Sequence, residues 1–254
     1  MPVLADIHFH LYDGSNEGQG KAVVLIHGAG GNYLSWPAQL RRLHGFRVYA
    51  LDLPGHGKST GIGRQSVQAY SEAIVNWMAA VGVSKAILIG HSLGSAITLS
   101  LALDFPEIPS GLVLIGAGSR LKVNPALLEE YSSQTTFLNA IEKTVSWSFC
   151  DETPKRLVEL VEQRLTETRQ GVMYGDFLAC AAFDVTDRFD QIRQPVLVLC
   201  GEMDKMTPCR EAQYLADHLE RSVLKLIPHA GHMVMMEQPE EVAQEVLAFL
   251  SKIS

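Results

Sequence analysis

Residues 90–94, with the sequence GHSLG, contain the side chain best suited to nucleophilic chemistry. They have the pattern GxSxG and lie between an apolar run at residues 86–89 and a segment with helical periodicity. This context favours a nucleophile elbow, a tight turn that raises a serine hydroxyl above the carboxyl end of a strand. Ser92 is therefore predicted to be a catalytic nucleophile. The alternative is a turn of small residues that only packs a helix against a strand.

A serine hydroxyl is a weak nucleophile at neutral pH, so it needs a base, and the base needs a partner that fixes its tautomer. Of nine histidines, His232 fits best because it follows the last apolar run and precedes the C-terminal helical segment. His229, earlier in the same loop, is the alternative. The acid in the chain order Ser, acid, His is predicted to be Asp204, which follows the apolar run at 195–199. Glu202 is the alternative acid.

A second glycine-rich segment, residues 27–31 with the sequence HGAGG, follows the apolar run at 22–26. Acyl transfer creates an oxyanion, and two backbone amides aimed at it stabilise the transition state. We predict that these donors are the amides of Ala29 and of Leu93, the residue after the nucleophile. A phosphate-binding loop is the alternative, but the segment has neither GxGxxG nor a Walker lysine.

These residues are separated by apolar runs and helical patterns that alternate along the chain, which predicts an α/β fold with a doubly wound, mostly parallel sheet. The predicted strands are residues 7–12, 22–26, 47–51, 86–89, 112–115, 195–199 and 223–227. The predicted helices between them are residues 35–43, 66–81, 93–104, 210–219 and 240–250.

The alternation stops between residues 119 and 183, a segment called the insertion below. It contains helical patterns around residues 125–131, 136–147, 154–168 and 172–182 and no convincing strand. We therefore predict three parts: residues 1–118 as the first part of the core, 119–183 as a helical cap, and 184–254 as the second part of the core.

Composition excludes several classes of function. The formal net charge is −7, with no run of Lys and Arg, so no nucleic-acid partner is expected. No apolar stretch is long enough to span a membrane, and the N-terminus does not have the pattern of a signal peptide. The four cysteines lack metal-ligand spacing, so we expect reduced thiols, no metal and a cytoplasmic location.

Taken together, these segments resemble the α/β-hydrolase superfamily. The resemblance covers almost the whole chain outside the insertion and rests on residues 27–30, 52–59, 90–94, 201–208 and 230–239. It implies a cofactor-free serine hydrolase in which residues 52–59 form a structural turn beside the site. One departure is Ser95, where many relatives carry a second glycine.

The fold alone does not determine the reaction, but a serine nucleophile favours acyl chemistry. The insertion has seven basic and nine acidic residues, which favours an uncharged acyl group. The expected partner is a small-molecule ester with a small or medium apolar acyl group, cleaved through an acyl-enzyme on Ser92. Pocket residues are predicted to be Trp147, Phe177, Met206 and Met233. The alternatives are a lactonase, a C–C bond hydrolase, which should need a cation in its pocket, and a small-molecule receptor.

Overall fold

An eight-stranded sheet forms the centre of the computed structural model, which describes residues 3–15 and 20–253. The strand order is β1-β2-β4-β3-β5-β6-β7-β8. The strands are β1 Val3–Leu4, β2 Ile7–Asp13, β3 Lys21–Ile26, β4 Phe46–Asp52, β5 Ala86–His91, β6 Pro109–Ile115, β7 Val196–Gly201 and β8 Ser222–Ile227. Strand β2 is antiparallel to both of its neighbours, and the strands from β4 to β8 along the sheet are parallel.

Ten α-helices lie in the described part of the chain. They are α1 Ala38–Arg41, α2 Val67–Ala80, α3 Leu93–Asp104, α4 Pro125–Ser132, α5 Phe137–Ser148, α6 Lys155–Thr166, α7 Gln170–Ala182, α8 Cys209–His218, α9 Val234–Glu237 and α10 Pro239–Leu250. The prediction of one helix over residues 35–43 was wrong. The chain forms a 3₁₀ turn at Tyr33–Ser35 and then α1, because Pro37 favours extended backbone at Trp36 and cannot donate a helical hydrogen bond.

Two apolar clusters cover the two faces of the sheet. One contains Val24, Leu88 and Leu112 and packs against α2, α3 and α8. The other contains Leu25, Ile89 and Val113 and packs against α1 and α10. Strand residues are therefore buried on both faces, which explains their continuous apolar runs. This arrangement confirms the predicted doubly wound, mostly parallel sheet.

The insertion follows β6 and precedes β7, and helices α4, α5, α6 and α7 lie within it. These helices share a third apolar cluster, which includes Tyr131, Ile141 and Phe177 and contacts Ala29, Met233 and Met236 at the carboxyl end of the sheet. The division of the chain at residues 118 and 183 stays a prediction. No helix in the described residues has the length and apolar character of a membrane span.

Ser95, the departure from the family pattern, connects α3 to the sheet. Its Oγ lies 2.8 Å from Gly90 O and 2.9 Å from Ile115 O, and it accepts a hydrogen bond from Ile115 N–H at 3.2 Å. A glycine at this position would make none of these contacts. The hydroxyl therefore holds the first turn of α3 against β5 and β6, directly beside Ser92.

Candidate active site

Ser92 lies in a strained turn between β5 and α3. Its φ of 53° and ψ of −116° fall in a region that residues other than glycine rarely occupy. The turn also brings α3 very close to β3, since a Cβ on Gly94 would lie 2.0 Å from Ile26 O. The turn therefore requires glycine at position 94, two residues after the serine. The strained turn holds the Ser92 side chain at the carboxyl end of the sheet.

His232 and Asp204 form a buried hydrogen-bonded pair. His232 Nδ1 lies 2.8 Å from Asp204 Oδ2, and the two residues are 3% and 5% exposed. Asp204 follows β7 and His232 follows β8, so the neighbouring parallel strands bring the two loops together. An ionised Asp204 accepts a hydrogen bond from Nδ1–H of His232, which leaves Nε2 without a proton and able to act as a base.

Asp204 accepts hydrogen bonds from four groups. Besides His232 Nδ1, the backbone amides of Met206 and Thr207 each donate to Oδ1 at 2.8 Å, and Thr207 Oγ1 donates to Oδ2 at 2.8 Å. Burial acts to raise the pKa of the Asp204 carboxyl, but the attraction of His232 and these hydrogen bonds hold the pKa below its usual value. Asp204 therefore remains an anion beside the imidazole.

The alternative acid and base face away from this pair. Glu202 is exposed, and its backbone N–H donates to Ile227 O in the sheet. The His229 side chain is 64% exposed, and its Nδ1 lies 2.8 Å from Glu152 Oε2. Of the candidates named from sequence, the structure brings Asp204 and His232 together.

Ser92 and His232 line the same cavity, but the hydrogen bonds of the described residues include none between Ser92 Oγ and His232. His91, the residue before Ser92, instead contacts the loop of His232, with its Nε2 3.0 Å from His232 O. Burial, together with the repulsion that a protonated His91 would meet from the imidazole of His232, lowers the pKa of His91 to about 3. Neutral His91 therefore donates from Nε2 and connects the elbow to the histidine loop.

The segment predicted to form the oxyanion hole packs directly against the elbow. A Cβ on Gly28 would lie 2.9 Å from His91 Nδ1 and 3.2 Å from Ser92 Cβ, so the close approach requires glycine. Within the described residues, the amides of Ala29 and Leu93 donate to no protein acceptor. Ala29 lines the cavity, whereas the Leu93 side chain is buried against the sheet and its amide lies at the N-terminus of α3.

A cavity of about 460 Å³ opens in front of Ser92. All four residues predicted to form the pocket line it, and they are Trp147, Phe177, Met206 and Met233. Met235, two residues after Met233 and within α9, does not line the cavity but is fully buried in the apolar cluster that packs against α1 and α10. Three basic residues line the cavity, namely Lys122, Arg164 and Lys205.

These basic side chains already have partners. Lys122 Nζ lies 3.9 Å from Glu211 Oε1, and Lys205 Nζ lies 3.0 Å from Asp151 Oδ1. Arg164 donates to the carbonyl oxygen of Leu34 at 3.0 Å. Lys122 and Arg164 belong to the insertion, so the insertion places basic side chains at the cavity, but neither of the two lysines is an isolated charge.

Sequence reasoning missed two polar residues near the site. Thr207 contacts both Asp204 and His232, and its position three residues after the predicted acid is the signal that could have identified it. Asp176 is fully buried in α7 and contacts the glycine-rich loop through Gly30. Its signal was a carboxylate alone among apolar residues in a helical segment, which requires a buried partner.

Comparison with known proteins identifies the family. The model of the alpha/beta hydrolase family matches residues 23–245. The chain is 33% identical over 246 residues to the dihydrolipoyllysine-residue acetyltransferase component of the acetoin cleaving system of Pseudomonas putida, a match that covers 92% of this chain. The chain spans 64% of the length of that relative.

Two further matches extend over nearly all of both proteins. The putative carbamate hydrolase RutD of Variovorax paradoxus (strain S110) is 28% identical, and the match covers 100% of this chain and 98% of that protein. A solved structure of a thermophilic esterase from Thermogutta terrifontis superposes with a TM-score of 0.87 and 26% identity over 97% of this chain and 93% of the esterase. From the family match over most of its length, the chain belongs to the alpha/beta hydrolase family.

Proposed function

We propose that the protein is a carboxylic ester hydrolase that acts on small or medium apolar acyl groups, with Ser92 as nucleophile, His232 as general base and Asp204 as the acid that orients the base. The observation that carries this proposal is the buried hydrogen bond of 2.8 Å between Asp204 and His232. His232 lines the same cavity as Ser92, whose backbone is strained. The similarity to the Thermogutta esterase supports an ester as substrate.

In the proposed reaction, each of these groups has one role. His232 Nε2 removes the proton from Ser92 Oγ as the oxygen attacks the ester carbonyl, and the free amides of Ala29 and Leu93 stabilise the resulting oxyanion. His232 then donates the proton to the departing alcohol, which leaves an acyl group on Ser92. A water molecule, activated by the same histidine, attacks the acyl-enzyme and releases the acid.

The cavity supports an apolar acyl group. Phe177, Leu127, Val161 and Met173 line it and are almost fully buried, which matches the predominantly apolar lining of a small-molecule site. One observation, the basic side chains at the cavity, favours a substrate that carries a carboxylate. A C–C bond hydrolase or some lactonases would require such a substrate. Since Lys122 and Lys205 are paired with acidic residues and Arg164 with a backbone carbonyl, we place the apolar ester first.

A panel of p-nitrophenyl esters of graded acyl length tests the proposal. We expect turnover by the wild type, loss of turnover in Ser92→Ala, and labelling of Ser92 by a fluorophosphonate, detected by peptide mass spectrometry. Ser146→Ala is the matched control, because Ser146 is exposed on α5 and does not line the cavity. Binding of esters without turnover would indicate the receptor alternative. Preference for an ester with a terminal carboxylate would contradict the apolar substrate.

A further inference from the structure

The insertion contacts the glycine-rich loop through a buried carboxylate. Asp176, in α7, is fully buried and accepts three hydrogen bonds. Gly30 N–H and His56 Nε2 both lie 2.8 Å from Oδ2, and the Tyr70 hydroxyl lies 2.5 Å from Oδ1. These donors come from three separate parts of the core, so one side chain of the insertion joins them.

His56 supplies a positive charge to this cluster. Its Nδ1 lies 3.2 Å from Pro54 O and its Nε2 lies 2.8 Å from Asp176 Oδ2, so both ring nitrogens face acceptors. Only an imidazolium carries a proton on each nitrogen. Burial lowers the pKa of His56, but the attraction of Asp176 and these hydrogen bonds raise it above its ordinary value. A buried ion pair therefore holds α7 against residues 52–59 and the glycine-rich loop.

Gly30 is held by the insertion at both of its backbone polar groups. Its N–H donates to Asp176 Oδ2, and its carbonyl oxygen accepts a hydrogen bond from Thr168 Oγ1 at 2.8 Å. Gly30 directly follows Ala29, whose amide donates to no protein acceptor among the described residues. The insertion thus fixes one of the two peptide units that flank the Ala29 Cα.

The core fixes the other peptide unit. Gly28 O accepts hydrogen bonds from His27 Nδ1 at 2.7 Å and from Gly31 N at 3.1 Å. In a trans peptide the carbonyl oxygen and the next N–H point in opposite directions, so this arrangement also sets the direction of the Ala29 N–H. Fixing both peptide units leaves the backbone at Ala29 little freedom to rotate.

We propose that the insertion helps to build the oxyanion hole, with Asp176 and Thr168 as positioning residues that fix Gly30. They thereby limit rotation at Ala29 and keep its N–H, whose direction the core sets through Gly28 O, pointing into the cavity. This inference rests on the proposed function, in which that amide stabilises the oxyanion. It gives the insertion a second role besides substrate choice. Helix α7 carries both Phe177, which lines the pocket, and Asp176, which positions Gly30.

The test measures turnover per active site in Asp176→Asn. Active-site titration with a phosphonate counts the competent molecules, so a loss of folded protein does not count as a loss of catalysis. Because a misdirected donor loses part of the 10²- to 10³-fold effect of a whole oxyanion donor, we expect kcat per titrated site to fall about 10- to 100-fold, with KM changed less than about twofold. The inhibition constant of a trifluoromethyl ketone, which forms a tetrahedral oxyanion on Ser92, should rise by the same factor as kcat falls.

Two other variants complete the test. Thr168→Val removes the hydroxyl that contacts Gly30 O. We expect kcat per titrated site to fall, and the inhibition constant of the ketone to rise, by about three- to tenfold. This variant keeps the inference testable if Asp176→Asn does not fold. Tyr131→Phe is the control, because it removes a buried hydrogen bond of the insertion to Thr144 and has no contact with Gly30. If folded Asp176→Asn or Thr168→Val retains wild-type kcat per site and ketone inhibition, the inference is wrong. Failure of the wild type to hydrolyse esters would instead contradict the proposed function.

Discussion

The hydroxyl of Thr207 donates a hydrogen bond to Asp204 Oδ2 at 2.8 Å. The hydroxyl oxygen of Thr207 also lies 3.1 Å from His232 Nδ1. Thr207 is 7% exposed and therefore shielded from water that could replace its hydroxyl. Together with the backbone amides at Asp204 Oδ1, this contact limits the carboxylate to one orientation toward the imidazole.

We predict that Thr207→Val lowers kcat about fivefold for every ester. Valine has nearly the same shape but cannot donate to the Asp204 carboxylate. A hydrogen bond to a charged group contributes about 1.5 to 3 kcal/mol, and we expect about 1 kcal/mol of this to be lost from the transition state. The measurement is kcat with an unbranched p-nitrophenyl ester at fixed pH. Thr207→Ser keeps the hydroxyl and should retain most of the activity. An equal loss in both variants would mean that the methyl group, rather than the hydrogen bond, is important.

We predict a far larger loss for Asp204→Asn, about 10³- to 10⁴-fold in kcat, because the amide no longer favours the tautomer of His232 that carries its proton on Nδ1. Glu202→Gln is the matched control, since Glu202 is the exposed carboxylate in the same loop. A stopped-flow measurement of the acylation burst separates the chemical step from product release. If the Glu202 variant loses more activity than the Asp204 variant, the assignment of the acid is wrong.

Some of this site could be predicted from sequence because the required chemistry leaves a local pattern. The turn at Ser92 needs glycine beside it, and Asp204 and His232 each follow an apolar strand, so the carboxyl end of a parallel sheet brings them together. Asp176 could not be assigned in this way. Its partners Gly30, His56 and Tyr70 are more than 100 residues away in sequence, and only the packing of α7 on the core brings them within hydrogen-bond distance.

Helix ends also depend on contacts that the sequence does not display. The apolar pattern over residues 35–43 suggested one helix, but Pro37 divides it into a 3₁₀ turn and a short helix. The contact of His91 with the carbonyl of His232, 141 residues later, also has no local signal in the sequence. It forms because β5 and the loop after β8 meet at the same edge of the sheet.

We predict that His91 makes the fold less stable in mild acid. The pKa of His91 is about 3 in the folded protein and about 6.5 in the unfolded chain, so between these values the unfolded state binds a proton that the folded state does not. The free energy of unfolding therefore falls as the pH falls from 6.5. At pH 5.5 this histidine should cost the wild type about 1.4 kcal/mol relative to neutral pH.

Urea unfolding of the wild type and of His91→Gln at pH 7.5 and pH 5.5 measures this effect. Glutamine cannot titrate in this range, so the variant should lose about 1.4 kcal/mol less stability than the wild type on acidification. Comparing the two losses removes the contributions of the other histidines, including the charged His56. Equal losses would mean that His91 is protonated in the folded protein.

Residues of the insertion at the cavity should determine which ester is preferred. Trp147 lies at the edge of the cavity and is 37% exposed, whereas Phe177 is 5% exposed and stacks on Tyr131 with ring centroids 4.4 Å apart. We predict that Trp147→Ala and Phe177→Ala change the ratio of kcat/KM between short and long acyl esters. Each methylene gained or lost in an apolar pocket changes this discrimination by about 1 to 3 kcal/mol.

Asp204→Asn supplies the contrast, because the tautomer of His232 matters equally for every acyl group and the loss should be the same factor along the ester series. Trp147→Ala is the safer of the two pocket variants, since truncating a buried phenylalanine costs about 3 to 5 kcal/mol of stability. The measurement compares the three chain-length profiles with that of the wild type, each normalised to titrated active sites. If the pocket variants lower all esters by one factor while Asp204→Asn changes the shape of the profile, the insertion does not determine acyl preference.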